Sequence, residues 1–274
     1  MTILGKNIQP IIMIGAMKCG TSTIFKHLQL HPQICFPPLK EPEYFSKSMG
    51  QEKYKLGAYE ALFDIQPGHN YTFDGSTGYA KFPAEKGVAQ RIYDYGLQPK
   101  FLYIVRNPFQ RIESHYNFMR KDLQWKSSII ADHLIHTSNY FIQLEQYATY
   151  FDKNDFLILD FEELMADYKK TLKRIYDFVG IEDYVFSENE IQNNKTKAVN
   201  RNELKLQKQL GGKFGFLPKS FRQFAKKVLG KLSKREKRTL SAKERTYVRE
   251  KLQSDMLKFQ EVYGFDVSRW GFNK

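Results

Sequence analysis

The chain has 274 residues, 42% of them hydrophobic and 15% aromatic, enough to bury a sizeable core and too apolar for disorder along most of its length. Two cysteines, Cys19 and Cys35, make no disulfide framework and point to a reducing, cytoplasmic compartment, and no apolar run approaches the roughly 20 residues of a membrane span. The net charge of +13 is concentrated in residues 195–251, which hold 19 Lys/Arg against 4 Asp/Glu, so a surface coated throughout for nucleic acid is argued against and one local basic segment remains.

An apolar strand, Ile11 to Ile14, runs into Gly15-Ala16-Met17-Lys18-Cys19-Gly20-Thr21-Ser22-Thr23, and a helical pattern follows to His31. A buried strand feeding a Gly/Lys/Ser/Thr turn that opens a helix is an anion site, because the first helical N–H groups lack intrahelical partners and the dipole adds positive potential there. Gly15 and Gly20 have the glycine spacing of the triphosphate-binding loop, but Thr21 follows the second glycine and the lysine stands two places before it, at Lys18. The cradle uses the same physics while the triphosphate motif fails at its lysine.

Next come a short strand at Ile34-Cys35-Phe36 and the stretch Lys40-Glu41-Pro42-Glu43-Tyr44-Phe45. A glutamate here can act as a general base, with aromatic walls raising its pKa. A packing helix is expected over 52–66, a strand at Tyr71–Asp74, a polar loop from Gly75 to Tyr79 and a helix from Ala84 to Tyr95. Phe101 to Val105 reads as a buried strand ending in Arg106, with Pro108 opening a helix that carries Ser114 about two turns on. An arginine at a strand's carboxyl end suits a bidentate phosphate contact; the bland alternative is an ion pair with Asp94 or Glu113. Helices are expected over Gln110–Lys121 and His136–Tyr150, then a strand at Phe156–Asp160 and one helix from Phe161 to Phe178, capped by Asp160 and ended by Gly180.

The βα alternation predicts a single α/β domain over 1–274, a P-loop-like three-layer α/β/α arrangement with a mostly parallel central sheet and a helical C-terminal extension. That extension holds a basic amphipathic helix from Ser220 to Arg238, which suits an anionic substrate, a membrane surface, a lid, or plain packing with a solvated face. A last helix runs from Ser241 to Tyr263, and Trp270 is expected to anchor the end in the core.

In order, these stretches resemble the sulfotransferases that use 3′-phosphoadenosine 5′-phosphosulfate (PAPS), closest to the bacterial relatives of heparan-sulfate sulfotransferases. The likeness extends from Pro10 to Trp270. It implies that Lys18, Cys19, Gly20, Thr21, Ser22 and Thr23 form the 5′-phosphosulfate loop and that Arg106 and Ser114 bind the 3′-phosphate. It further implies that Glu41 is the catalytic base and that Lys195, Thr196, Lys197 and Arg201 belong to a later loop closing over the nucleotide. Lys18 would stabilise the leaving phosphate. PAPS is the implied co-substrate, and no metal is expected because no His/Cys/carboxylate cluster has ligand spacing.

One departure stands out. Where heparan O-sulfotransferases carry a Glu-Lys pair after a strand, this chain has Asp74-Gly75-Ser76-Thr77. The resemblance implies an acceptor hydroxyl or amine on a glycan or small natural product, rather than on heparan itself. No specific nucleic acid partner is expected, and the basic segment is compatible with peripheral contact at a membrane surface. The rival readings are a nucleotide kinase and a non-catalytic binder of acidic polymer or membrane through residues 195–251.

Overall fold

A computed structural model describes residues 2–3, 6–47, 57–120, 125–185 and 236–273. Met1–Tyr184 and Thr239–Lys274 form one compact unit, and Val185–Arg238 form a second, nearly all of it outside the described residues. The first unit opens with a small hairpin, β1 (Thr2–Ile3) and β2 (Lys6–Asn7), followed by β3 (Gln9–Gly15) and α1 (Thr21–Leu28). Next are β4 (Ile34–Cys35), β5 (Tyr71–Asp74), α2 (Val88–Asp94), β6 (Lys100–Val105) and α3 (Pro108–Met119). Then follow α4 (Asp132–His136), α5 (Tyr140–Ala148), β7 (Phe156–Asp160), α6 (Phe161–Ala166), α7 (Tyr168–Val179) and α8 (Ala242–Tyr263).

The main sheet has five strands in the order β4-β5-β3-β6-β7, all parallel. Because flanking helices cover a parallel sheet on both faces, its strands read as continuous apolar runs. Ile11 to Ile14 are 0–1% exposed, and Phe101 to Val105 are 0%. β3 lies at the centre; the chain goes first to the edge strand β4 and returns to place β5 beside β3, then crosses to lay down β6 and β7 on the other side. A crevice at the carboxyl ends of the strands is where such a topology receives ligands. Gly15, Asp74, Asp160 and, just past β6, Arg106 all stand at that edge.

Several expected elements are corrected. In its described part, the 52–66 helix is one 3-10 turn, Tyr59–Leu62, because Tyr59 is buried among the rings of Tyr44, Phe45, Phe63 and Tyr95. The 84–95 helix begins only at Val88, after Gly87 in the left-handed region (φ 69°). The stretch expected as one helix from Phe161 to Phe178 is two, since Asp167 leaves helical geometry and caps α7 by accepting from the Lys169 and Lys170 amides at 3.0 and 3.1 Å. Gly180 ends α7 as expected, and the residues from Asp132 to Ala148 form two helices, α4 and α5. The basic helix expected from Ser220 to Arg238 lies outside the described residues, apart from 236–238, which are not helical. Trp270 is 6% exposed, packed on Phe265 and Tyr140.

Candidate active site at the carboxyl edge of the sheet

The turn after β3 delivers α1 with its amino end open. Gly20 caps that helix at φ 86° without a side-chain cap, and the Thr23 and Ile24 amides both return to the Gly20 carbonyl at 2.8 and 3.4 Å. The first-turn amides before them have no intrahelical acceptor and offer themselves to an anion. Glycine is required at position 20 on two grounds: the left-handed φ, and a Cβ that would stand 2.9 Å from Leu164 Cδ2. Lys18 adopts φ 74°, rare for a side-chain-bearing residue, and its ammonium lies 4.4 Å from the ring centroid of Phe118 on α3. Cys19 is fully buried with its amide donating to the Ala16 carbonyl at 3.2 Å; burial pushes its thiol up to about 12, so it stays neutral. Thr21 is buried, Ser22 exposed and Thr23 half-buried.

The β6–α3 junction brings Arg106 to this loop. Asn107 caps α3 by accepting from the Phe109 and Gln110 amides at 3.1 and 3.4 Å, and Pro108 occupies the first helical position. The buried Tyr140 hydroxyl clamps the same corner, donating to the Arg106 carbonyl at 2.6 Å and accepting from its amide at 3.2 Å. The guanidinium donates to the Lys18 carbonyl at 3.4 Å and to Gln110 Oε1 at 3.2 Å, and it stacks 4.2 Å above the Phe161 ring. Its Nε is buried with no hydrogen-bond partner among the described residues. The alternative of an Arg106–Glu113 ion pair is not what forms: Glu113 accepts from Arg245 at 2.6 Å. Ser114 lies half-buried two turns along α3, on the helix that carries Phe118 to Lys18.

From the other side comes the 40–46 segment. Lys40 donates to the Ser22 hydroxyl at 2.8 Å and pairs with Glu41 at 3.2 Å, which ties Glu41 to the first turn of α1. Glu41 sits half-buried at φ 57°. The buried carboxylate of this segment is its neighbour Glu43, 2% exposed and followed in sequence by the buried Tyr44 and Phe45. Burial raises the Glu43 pKa against hydrogen bonds from Ser46 Oγ at 2.7 Å and the Gly78 amide at 2.8 Å. Beside it, Asp74 is fully buried; burial raises it to about 7, although the hydroxyls of Ser76, Tyr79 and Tyr59 donate to it at 2.6, 2.9 and 3.3 Å. Ser76 Oγ also accepts from the Glu43 amide at 2.9 Å, so Asp74 and Ser76 brace the backbone that presents Glu41.

The fold thus brings the 18–23 loop, Arg106, Ser114 and the Lys40-Glu41 pair to one edge of the sheet. Lys195, Thr196, Lys197 and Arg201 lie outside the described residues. Sequence reasoning missed Arg111, which is 0% exposed and reaches the Met17 carbonyl at 3.4 Å. A signal existed: positions 108, 111, 112 and 115 are the i, i+3, i+4, i+7 inner face of α3. Among the described residues no group of three or more His, Cys, Asp or Glu side chains is placed to hold a metal, and no helix is long and apolar enough to cross a membrane.

A parallel sheet with an open-ended helix after its central strand, and an arginine from the adjacent strand touching that turn, defines an α/β protein of the phosphate-loop type. The chain belongs to the sulfotransferase domain family, which it matches over residues 9–231. It is 27% identical over 210 residues to heparan sulfate glucosamine 3-O-sulfotransferase 3B1 of Homo sapiens, covering 70% of this chain and 51% of that protein. It is 22% identical over 246 residues to carbohydrate sulfotransferase 15 of Mus musculus, covering 62% and 43%. The chain therefore spans about half the length of the curated relatives it matches. Its fold is that of a sulfotransferase from Alicyclobacillus acidocaldarius, with 21% identity, a TM-score of 0.67, and coverage of 98% of this chain and 100% of the other.

Proposed function

We propose that this protein transfers a sulfuryl group from PAPS to a hydroxyl or amine of a glycan or small natural product. The observation that carries the reading is the Arg106 guanidinium resting on the Lys18 carbonyl, one orphaned nitrogen still buried, beside an α1 whose first-turn amides lack intrahelical acceptors. A doubly phosphorylated nucleotide fits that arrangement. Its 5′-phosphosulfate meets the amides of Gly20, Thr21 and Ser22 and the Thr23 hydroxyl, and its 3′-phosphate meets Arg106 and Ser114. The relatives named for glycan substrates support a glycan among the acceptors. Two buried free thiols, Cys19 and Cys35, accord with a reducing, cytoplasmic setting.

The transfer is an in-line displacement in which positioning and electrostatics do most of the work. The acceptor oxygen or nitrogen forms a bond to sulfur as the bond from sulfur to the bridging oxygen breaks. The acceptor's proton passes to Glu41, and the leaving nucleotide is adenosine 3′,5′-bisphosphate. Lys18 neutralises charge growing on the bridging oxygen. Lys40 holds the Glu41 carboxylate against the helix that binds the donor.

The test is incubation with sulfur-labelled PAPS and a panel of polysaccharide, amine and phenol acceptors, with calorimetric titration of adenosine 3′,5′-bisphosphate against ATP. Label transfer and preference for the bisphosphate support the reading. Preference for ATP with magnesium would make the protein a kinase. Binding of acidic polymer that falls steeply with salt, without label transfer, would make it a polyanion binder.

A further inference from the structure

Arg111 is a cation sealed inside the protein with no acid paired to it among the described residues. It is 0% exposed; its Nε donates to Ser138 Oγ at 2.5 Å, its Nη1 to His115 Nδ1 at 3.1 Å and to the Met17 carbonyl at 3.4 Å, and its Nη2 to the Leu134 carbonyl. Among the described residues it forms no ion pair. Every partner is a neutral acceptor. His115 belongs with them: burial, reinforced by the neighbouring guanidinium, drives its pKa down to about 2, so it accepts through Nδ1 as an uncharged ring. Hydrogen bonding is satisfied, but the charge is not, and an unmatched buried charge is costly to keep.

The place of that charge matters. Arg111 holds the carbonyl of the peptide before Lys18, and Arg106 holds the carbonyl of the peptide after it. Between the two, Lys18 sits at φ 74°, a conformation that a lysine keeps only when its surroundings impose it. In a trans peptide the N–H points opposite to the C=O, so gripping the Met17 carbonyl turns the Lys18 amide away from Arg111.

We propose that Arg111 is a positioning residue for Lys18, locking the donor loop from beneath, and that the phosphates of the bound nucleotide supply its missing counter-charge. This rests on the nucleotide reading above. It makes the ligand-free protein electrostatically incomplete, with binding and loop order linked through one side chain. R111K keeps the charge but cannot fork to Met17, Ser138 and Leu134 at once; R111Q loses the charge.

The experiment uses the full chain and its R111Q and R111K variants, with calorimetric affinity for adenosine 3′,5′-bisphosphate, thermal unfolding with and without it, and kcat and KM for label transfer. R111Q should weaken the bisphosphate at least about tenfold and shrink the ligand-induced rise in Tm. R111K should recover most of that affinity while its kcat stays low. An R111Q protein with a lowered ligand-free Tm but affinity and kcat within about twofold of the original would reduce Arg111 to a structural brace and overturn the proposal. If R111Q does not fold, S138A keeps the charge while releasing one anchor: a lower kcat with unchanged affinity upholds the positioning role, and no change in either overturns it. Should the unmodified protein ignore the bisphosphate, the sulfuryl-donor reading fails. Inorganic pyrophosphate then decides separately: stabilisation lost in R111Q supports the counter-charge, and equal stabilisation of both proteins refutes it.

Discussion

The ammonium of Lys40 lies 2.8 Å from the Ser22 hydroxyl and 3.2 Å from the Glu41 carboxylate, bridging the proposed base to the first turn of α1. Both members of the ion pair are about a third exposed, at 33% and 34%, so the pair contributes little to stability. Its effect should appear in catalysis instead. K40A is expected to lower kcat about tenfold while Tm moves by no more than about a degree and nucleotide affinity by no more than about threefold. A fall in Tm matching the fall in kcat would show that the pair holds the fold.

Lys18 and Glu41 are assigned different moments of the same displacement. K18A should cost sulfuryl transfer two orders of magnitude or more, on the order of 3 kcal/mol of barrier. E41Q should be similarly slow while binding adenosine 3′,5′-bisphosphate normally by calorimetry. Near-normal turnover in E41Q would move the base to Glu43.

Arg106 should discriminate between nucleotides. In the original protein, adenosine 3′,5′-bisphosphate is expected to bind far more tightly than adenosine 5′-monophosphate. R106A should collapse that ratio, because it removes the proposed contact to the 3′-phosphate and leaves the proposed 5′ contacts of the loop in place. Equal losses for both ligands would assign Arg106 to loop order alone.

The buried carboxylates give stability a definite pH trend. Asp74 titrates near 7 in the folded chain against 3.8 for an ordinary aspartate. Between those values the folded chain holds a proton that the unfolded chain has released, so stability falls as pH rises from about 4 to about 7 and levels off beyond. Burial shifts Asp255 to about 6, and raises Glu43, with the same sign. D74N should flatten the slope of urea midpoints across that window; an unchanged slope would remove Asp74 from the account.

Gly78 is where the brace under Glu41 is tightest. A Cβ there would stand 2.2 Å from Glu43 Oε2, whose carboxylate accepts the Gly78 amide through Oε1. G78A should destabilise the protein by about 2 kcal/mol or more in denaturant titration and lower kcat with it, because Glu43 must give up its buried hydrogen bonds.

How much of this was legible beforehand follows the range of the interactions. The 15–23 loop, the strands at 11–14 and 101–105, the Asn107-Pro108 helix start and the Gly180 stop are signalled by neighbours within a few residues, and all stand where the sequence puts them. Residues 59–62 misled because Tyr59 and Leu62 fit a helical period, while the rings that Tyr59 meets, on residues 44, 45 and 95, are distant in the chain. The break at Asp167 was also missed, because the helical pattern on either side of it continues in register while the aspartate turns to capping.

By itself, then, the sequence determined a glycine-bounded turn opening a helix, an arginine at the end of the neighbouring strand, and a parallel sheet to hold them. Each depends on local backbone chemistry or on a hydrophobic period. Only the tertiary structure decided which of two glutamates in Glu41-Pro42-Glu43 is buried, that Lys40 grips Ser22, and that Arg111 lies sealed beneath the loop. Those are questions of burial and of which carbonyl a charge can reach, and they are answered by residues far apart in the chain brought to one edge of the sheet.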